Sequence, residues 1–464
     1  MKTNFPELPC CPLRHQAIHH SSCTAIQLEQ GGITFRLLDE LVDQCCRVYR
    51  DKGMSVGNRL LFVTGKPLDT VIVALACLRS QWIFCPVNPA LPEAQQLTYR
   101  DRIGASLVAD SAGIGFHRPI PAPRSASSLS SIEIASEAVY NLIVSSGTTG
   151  IPKAVAHSYQ NHYFSALGSM HALPLTYGDT WLLSLPLFHV GGLAIVMRCL
   201  LAGITMVLSE RRLPLNDMLA RQRLTHLSLV NTQLFRLIQS GLSLYDSGVR
   251  YILLGGGVAS PRLVQAVKAQ GVTVLTTYGL TEMTSQVCTA EPLFTSSGVT
   301  SGVVLPWREV RLTGEGEIQV RGETLAKGVF QHGEVMPLPI NGGWFNTGDK
   351  GRWYGDQLQI CGRMDNMLIS GGENIHPEEI EQALLTLPEI VQAVVVAMKD
   401  PEYGQRPVAY VQTVDGTLNE AYTKERLAGK IAKFKVPVYV RLFPEQIAES
   451  GIKINRRFFQ ALLE

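Results

Sequence analysis

The chain has 464 residues, of which 46% are apolar and 17% charged, so it is long and apolar enough to bury large cores, and it is excluded from the intrinsically disordered class. Its 41 basic and 39 acidic residues leave a net charge of +2, which gives no indication of nucleic acid or an anionic membrane as a partner. The ten cysteines show no C-x-x-C spacing and several stand in apolar runs, which predicts reduced thiols and a cytoplasmic protein.

The first 300 residues predict an α/β body. Short β-rich runs alternate with segments of helical period, an order that favours parallel sheets covered by helices. One predicted helix covers 68–79, is too short to span a bilayer and carries Asp69, and another opens at Ser260 and Pro261. The predicted strands are 60–64, 138–144, 181–185, 205–208, 227–230, 249–254 and 272–275.

The pattern changes after residue 300. Two hairpins, one joining 309–312 to 317–321 and one turning at 355–356, predict a small antiparallel unit. A helix opening at Pro377, strands at 391–398, 408–413 and 438–442, and a basic helix near 418–433 predict a compact α+β tail. We place the boundary before this tail at 362–366.

A loop rich in Ser, Gly and Thr follows the predicted strand 138–144. Glycines let a backbone approach a phosphate, hydroxyls and amides donate to it, and a lysine adds a cation, although a turn without a ligand has the same composition. No Gly-Lys-[Ser/Thr] closes the loop, so it is not a Walker A motif. Its residues of interest are Ser145, Ser146, Gly147, Thr148, Thr149, Gly150 and Lys153.

Four further segments follow in a fixed order, at 186–189, 278–282, 344–349 and 362–365. Together they supply an aromatic ring for a base, a carboxylate for ribose hydroxyls, an acid for Mg²⁺, and hydroxyls and cations for phosphates. With these motifs in this order, the chain resembles the adenylate-forming superfamily of acyl-CoA synthetases, firefly luciferase and adenylation domains, from about residue 30 to its end.

The resemblance implies a fold. It comprises a large N-terminal domain, residues 1–362, built from two α/β subdomains and a small β-barrel-like piece. A small mobile α+β C-terminal domain, residues 363–464, follows. The implied co-substrates are ATP and CoA, with Mg²⁺ as the metal.

The resemblance also implies a nucleotide site. The loop from Ser145 to Lys153 would hold the β- and γ-phosphates, and Thr281 would act in catalysis at the α-phosphate. The remaining implied residues are Gly256, Gly257 and Tyr278 around adenine, Asp349 on the ribose with Arg363 nearby, and Glu282 on Mg²⁺. Read without the resemblance, Glu282 is a solvated acid at the start of a helix.

The C-terminal residues implied by the resemblance are the hinge Asp365, the thioester loop with Gly371 and Gly372, and the catalytic Lys453. The chain departs from the family at Ile452, where a glycine usually precedes that lysine.

For the acid substrate, segments 153–158, 184–192 and 278–283 are most similar to the subfamily that ligates 2-succinylbenzoate to CoA in menaquinone biosynthesis. His189 would act in catalysis and close the acyl pocket, although a core histidine is the alternative. The second carboxylate of such an acid needs buried donors. The candidates are Arg198, Thr277, Ser285 and Gln286.

Three other functions stay open on the sequence: another aryl- or fatty-acyl-CoA ligase, an adenylation enzyme that loads a carrier-protein thiol, and a non-catalytic binding module. The last is disfavoured because every charged motif residue is present. Assembly into a homo-oligomer also stays open. His157 and His162 are five residues apart, which is not a metal spacing on a helix, so the sequence assigns them no role.

Overall fold

The computed structural model describes residues 6–110, 129–145, 153–211, 213–296, 298–444 and 456–463. No helix within these ranges is long and apolar enough to cross a membrane. The helices there are α1 (Pro12–His19), α2 (Phe35–Asp51), α3 (Pro67–Ser80), α4 (Glu93–Ile103), α5 (Tyr159–Ala172), α6 (Val190–Ala202), α7 (Leu215–Arg221), α8 (Asn231–Gln239), α9 (Pro261–Lys268), α10 (Pro377–Leu385), α11 (Glu420–Ala428) and α12 (Arg456–Ala461).

The strands of the same ranges form three large sheets and one two-stranded ribbon. They are β1 (Thr24–Leu28), β2 (Gly31–Thr34), β3 (Arg59–Val63), β4 (Ile83–Val87), β5 (Leu107–Asp110), β6 (Val139–Ser145), β7 (Lys153–Ser158), β8 (Thr180–Leu182), β9 (Thr205–Val207), β10 (His226–Leu229), β11 (Tyr251–Leu254), β12 (Thr273–Leu280), β13 (Ser285–Ala290), β14 (Phe294–Thr295), β15 (Gly298–Val299), β16 (Val303–Val304), β17 (Arg308–Leu312), β18 (Glu317–Gly322), β19 (Gly328–Gln331), β20 (Glu334–Met336), β21 (Ile340–Asn341), β22 (Trp344–Tyr354), β23 (Gln357–Arg363), β24 (Leu368–Ser370), β25 (Glu373–Ile375), β26 (Ile390–Asp400), β27 (Gly404–Thr413) and β28 (Tyr439–Leu442).

The first sheet has seven strands in the order β20-β19-β7-β6-β4-β3-β5. Strands β3, β4, β5 and β6 are parallel, as their continuous apolar runs predict for strands covered on both faces. The antiparallel strand β7 runs straight into α5, where Ser158 and Asn161 form a reciprocal capping box. The junction between β7 and α5 is therefore fixed at both its backbone and its side chains.

The second sheet has fourteen strands. Strands β12, β11, β10, β8, β9 and β1 are parallel neighbours in that order, and β13, β16, β23, β22, β18 and β17 continue the sheet antiparallel from β12. Both hairpins predicted after residue 300 are present, as β17–β18 and β22–β23. They attach to this sheet, whereas β19 and β20 extend the first one.

The third sheet, of five strands, has the order β25-β24-β27-β26, with β28 parallel to β27. It packs with α10 and α11 around a separate apolar core that includes Ile380, Val395 and Val440. The architecture confirms the predicted α/β class with a small α+β C-terminal part. The proposed boundary between residues 362 and 363 falls inside β23, and the division into two domains stays a prediction.

Candidate active site

Three of the predicted nucleotide residues form one hydrogen-bonded group where β12 meets the β22–β23 hairpin. The Tyr278 hydroxyl donates to Asp349 Oδ2 at 2.6 Å, and Arg363 Nη1 donates to Asp349 Oδ1 at 2.9 Å. Asp349 and Arg363 are directly opposite each other on β22 and β23, so the sheet register sets their ion pair. Two carboxylate oxygens held in this way suit a pair of adjacent hydroxyls as ligand, because each oxygen can accept a further hydrogen bond.

The protonation of this group follows from burial and charge. Burial raises the pKa of Asp349, and the Tyr278 hydrogen bond and the Arg363 charge oppose that rise. Burial and the Asp349 charge raise the pKa of Tyr278 far above its usual range, so its hydroxyl keeps the proton that it donates. For Arg363, burial alone would lower the pKa, but its bonds to Asp365 and Asp349 raise it, so the guanidinium stays charged.

The base of the predicted phosphate loop is the end of the β6–β7 hairpin. Ser145 and Lys153 are cross-strand partners there, which places the hydroxyl and the cation on either side of the loop entrance. The loop residues themselves lie outside the described residues; among them are the predicted ligands Ser146, Gly147, Thr148, Thr149 and Gly150.

Thr281 and Glu282 lie in one turn of 3₁₀ helix, Thr281–Met283, between β12 and β13. Both residues are half-buried, and the turn ends at Thr284, which has a φ of +53°. The turn follows directly from the strand that carries Tyr278, so the predicted adenine, α-phosphate and Mg²⁺ residues lie along one continuous segment of backbone.

The Glu282 side chain fits a magnesium ion that is shared with a substrate. In the part of the chain that the structure describes, no group of three or more His, Cys, Asp or Glu side chains could hold a metal alone. Mg²⁺ keeps several waters and commonly takes one or two carboxylates together with phosphate oxygens. A single carboxylate beside the predicted phosphate site is therefore an appropriate donor set.

Three buried polar residues that the sequence left without a role support this turn. His157 Nε2 donates to the Thr281 carbonyl at 2.7 Å, Asn141 Nδ2 donates to His157 Nδ1 at 3.4 Å, and His162 Nε2 donates to Asn141 Oδ1 at 2.8 Å. Burial lowers the pKa of His157 to about 4, so its ring is neutral at physiological pH. The sequence did contain a signal for such a role, because the polar residue His157 follows the apolar run of β7.

Three of the four candidates for the second carboxylate are linked in a buried chain of hydrogen bonds. Arg198 Nη2 donates to Gln286 Oε1 at 2.7 Å, and Gln286 Nε2 donates to Thr289 Oγ1 at 2.6 Å. The Thr289 hydroxyl lies 2.9 Å from Thr277 Oγ1 and donates to it. Thr289, which the sequence did not single out, is therefore the residue that connects Gln286 to Thr277.

Arg198 is the charged member of this chain. It lies on α6, only 2% exposed, with its guanidinium 5.1 Å from the centre of the Trp181 ring. Burial lowers its pKa to about 10, so it remains a cation at neutral pH. Its Nε has no hydrogen-bond partner among the described residues. A buried cation with an unused donor is costly alone and suits an anionic ligand.

The two other predicted acyl residues are not part of that chain. His189 is exposed at the N-cap position of α6, with its ring 4.7 Å from the Phe188 ring. Ser285 opens β13 opposite Leu280, with a φ of +99°. Both residues are on the segments predicted to border the acyl site, so their roles stay predictions.

The remaining predicted residues are the two glycines predicted to contact adenine and the residues predicted in the C-terminal part. Gly256 and Gly257 follow β11, and Gly256 has a φ of +80°. Asp365 lies in the 3₁₀ turn Met364–Asn366, where its carboxylate pairs with Arg363 at 2.8 Å. Gly371 and Gly372 make the turn between β24 and β25, with φ of +58° and +86°. Lys453 lies outside the described residues.

Comparison with known families agrees with this geometry. The model of the AMP-binding enzyme family matches residues 13–330, and that of the AMP-binding enzyme C-terminal domain matches residues 379–450. The chain therefore belongs to the AMP-binding enzyme family, which confirms the resemblance drawn from its motifs.

Within this family, the chain is similar to several 2-succinylbenzoate–CoA ligases. The 2-succinylbenzoate–CoA ligase of Salmonella typhimurium is 34% identical over 453 residues, with 97% of each chain covered, and that of Escherichia coli is 34% identical over 462 residues, with 98% of this chain covered. A solved structure of a variant E. coli MenE with bound OSB-AMS superposes with a TM-score of 0.86, at 30% identity over 99% of both chains. The Bacillus subtilis enzyme, solved with ATP and magnesium ion, gives 0.80 at 26% identity, covering 94% of this chain and 96% of that one.

Proposed function

We propose that this chain is an AMP-forming ligase that joins 2-succinylbenzoate to CoA at the expense of ATP, a step of menaquinone biosynthesis. Relatives with this activity match it from end to end. The observation that carries the choice of acid is the buried chain Arg198–Gln286–Thr289–Thr277, which offers a cation that a monoacid does not need.

The first half-reaction activates a carboxylate. One of its oxygens attacks the α-phosphorus of ATP, the bond from that phosphorus to the bridging oxygen breaks, and pyrophosphate leaves with the electron pair. Asp349 and Tyr278 would hold the ribose and the base, and Thr281 would orient the α-phosphate. Mg²⁺ on Glu282 would neutralise charge on the phosphate oxygens. The contribution of the protein is positioning and fixed charge, the main sources of catalysis in phosphoryl chemistry.

The second half-reaction forms the thioester. The CoA sulfur attacks the acyl carbon, the bond from that carbon to the phosphate oxygen breaks, and AMP leaves. In our proposal the C-terminal domain turns about Asp365 between the two steps, which removes Lys453 and brings the loop with Gly371 and Gly372 to the acyl-adenylate. One site then serves two reactions through a domain movement.

The second carboxylate of the acid would bind at Arg198. An ionised carboxylate is costly to bury without donors, and a charge-assisted bond to a guanidinium offsets that cost. The unused Nε of Arg198 is the donor present, because the Thr277 hydroxyl already donates to the Cys288 carbonyl and the Thr289 hydroxyl to Thr277. His189, at the start of the same helix, would stand at the opposite end of the acyl group, beside the reacting carboxylate.

The test is pyrophosphate release across a panel of acids, followed by detection of the CoA ester. We expect kcat/KM for 2-succinylbenzoate to exceed that for benzoate, coumarate and octanoate by at least about 100-fold, because a site built around buried polar groups rejects ligands that leave them unpaired. A monoacid that matched or exceeded 2-succinylbenzoate would contradict the assignment of the acid and leave only the acyl-CoA ligase.

Location and assembly complete the proposal. All ten cysteines are free thiols, which supports a cytoplasmic location for the enzyme. Its CoA would be a diffusible co-substrate. A homo-oligomer is compatible with this function, and a measurement of the molecular mass in solution would show whether it forms.

A further inference from the structure

The turn that carries Thr281 and Glu282 is attached to the first sheet and α5 through its carbonyl groups. His157 Nε2 donates to the carbonyl of Thr281, at 2.7 Å. Two more attachments follow along the turn, from the Ala326 amide to the Glu282 carbonyl at 2.8 Å and from the Ser165 hydroxyl to the Thr284 carbonyl at 2.6 Å. The turn is therefore positioned by groups on other segments, and His157 is the donor at its first residue.

His157 is held so that its proton must face the turn. Its Nδ1 receives the Asn141 amide, so the single N–H of the neutral ring lies on Nε2. Asn141 is oriented in turn by His162, whose Nε2 donates to the Asn141 carbonyl oxygen. All three side chains are at most 1% exposed, so water does not replace these bonds.

The strand that carries His157 also ends the predicted phosphate loop. Lys153 begins β7 and His157 follows four residues later, about 13 Å along an extended strand. The bond from His157 to Thr281 therefore joins the strand that positions the phosphate loop to the turn that carries the predicted metal and α-phosphate residues. His157 is on β7 of the first sheet. Thr281 is 124 residues further along the chain, in the turn between β12 and β13 of the second sheet.

We propose that His157 is a positioning residue that fixes Thr281 and Glu282 relative to β7, which begins at Lys153, so that a metal–nucleotide complex meets the lysine and the turn at once. This inference rests on the proposed function for the identity of the nucleotide. Beyond that function, it assigns a role to a buried triad, His157, Asn141 and His162, to which the sequence assigned none.

The test compares His157→Leu with His157→Gln. Leucine removes the donor, whereas the glutamine amide reaches about as far as imidazole Nε2 and can donate to the same carbonyl. We expect His157→Leu to weaken MgATP binding about tenfold and binding of ATP without metal by only about threefold. The Thr281 contact is disturbed in both cases, whereas the Glu282 contact matters only when the metal is bound. His157→Gln should recover most of the MgATP affinity.

The half-reactions provide a second readout. In His157→Leu, kcat for pyrophosphate release should fall and the magnesium concentration for half-maximal rate should rise, while CoA ester formation from supplied acyl-adenylate is retained. The matched control is His226→Gln, since His226 is equally buried and donates to the Pro174 carbonyl at 3.3 Å, but is on β10. That variant should lower the thermal midpoint without changing the magnesium dependence.

Equal losses for MgATP and metal-free ATP, or failure of His157→Gln to recover binding in a folded protein, would refute the positioning role. The titrations with MgATP need no acid. A wild-type enzyme that binds MgATP but does not ligate 2-succinylbenzoate would therefore refute the proposed substrate, and the two His157 variants would still decide the inference.

Discussion

Arg198 carries a positive charge into the interior, where its hydrogen-bond partner is the neutral oxygen of Gln286. The stacked Trp181 ring stabilises this cation only in part, because cation–π contacts are weaker than a paired carboxylate. A dianionic acid supplies the missing negative charge, whereas a monoacid leaves the cation as it was. In our proposal, selectivity for the dicarboxylate therefore comes from the Arg198 charge, which is uncompensated before the acid binds.

Replacing Arg198 by alanine should raise KM for 2-succinylbenzoate by at least about 30-fold, because the second carboxylate would be buried without its charged partner. Gln286→Ala removes the neutral side chain that accepts from Arg198, and it should raise KM for 2-succinylbenzoate by about five- to tenfold. Steady-state kinetics with benzoate provide the internal control, and KM for benzoate should change less than about threefold. If KM rose by the same factor for both acids, the proposal that Arg198 binds the second carboxylate would be refuted.

Buried histidines predict how stability depends on pH. Burial lowers the pKa of His157 to about 4 and that of His226 to about 4, and it lowers the pKa of His162 well below the ordinary value. In the unfolded chain these rings take up a proton near pH 6.5. Between those values the unfolded state binds more protons, so the free energy of unfolding falls as pH falls from about 6.5 towards 4.

Each such histidine can contribute up to about 3 kcal/mol to this loss. Urea unfolding at about pH 7 and about pH 5 measures the part of this loss that falls between them, about 2 kcal/mol per histidine. His226→Gln should show a smaller difference between the two conditions than the wild type does. A wild-type free energy of unfolding that rose on acidification over this interval would contradict the neutral, buried state of these rings.

Among the elements, those that carry the nucleotide motifs were predictable. The apolar run 272–275 and the turn at 355–356 predicted β12 and the β22–β23 hairpin, and the motifs marked Tyr278, Asp349 and Arg363, whose side chains the structure joins. This worked because strand period and turn residues are local properties of the sequence.

What escaped prediction depends on contacts between distant segments. The partner of His157 is a carbonyl 124 residues away, and no local pattern encodes that pairing. Ser260 occupies the expected N-cap position of α9, but its hydroxyl makes no capping bond; instead, Asn231 Oδ1 accepts from its amide. The basic helix expected over 418–433 is only Glu420–Ala428, because Gly429 follows it and a separate 3₁₀ turn covers Lys433–Lys435.

The short connection between β23 and β24 links the nucleotide site to the predicted hinge. Arg363 bonds Asp349 through Nη1 and Asp365 through Nε, so one guanidinium joins the ribose carboxylate to the hinge carboxylate. Rotation about φ of residue 365 moves its carboxylate relative to Arg363 and therefore has to break or rearrange the second of these bonds.

Asp365→Pro should leave pyrophosphate release near normal and abolish CoA ester formation, because proline fixes φ at position 365 and restricts Met364 before it. The measurement is the ratio of the two half-reactions. Asp365→Ala is the matched control, since it also removes the ion pair with Arg363 but keeps the backbone free to rotate, and it should form the ester. Ester formation by the proline variant at the wild-type rate would contradict a hinge at this position.

At the scale of the whole molecule, the C-terminal sheet and α10 contact the N-terminal part through polar bonds and through Val258, which packs against the C-terminal core. Gln382 Nε2 donates to the Ile360 carbonyl at 2.7 Å, and Lys350 Nζ lies 3.3 Å from His376 Nε2. In our proposal the two parts move relative to each other, as domains of one chain commonly do. The proposed change between half-reactions relies on such a motion, since Lys453 and Gly371, the residues predicted for the two steps, are both in the C-terminal part.

Lys453→Ala tests which half-reaction that lysine serves. The variant should lose about 10²–10³ in the rate of pyrophosphate release, the usual effect of removing one donor that stabilises developing charge. It should keep most of the rate of ester formation from supplied acyl-adenylate and CoA, because the proposed rotation withdraws Lys453 before that step. The neighbouring Arg457→Ala, on the exposed side of α12, is the control for damage to the C-terminal domain and should affect neither rate strongly. If Lys453→Ala slowed both half-reactions equally, its charge would be needed throughout the cycle, and a domain that exchanges one set of residues for another would no longer explain how one site performs two reactions.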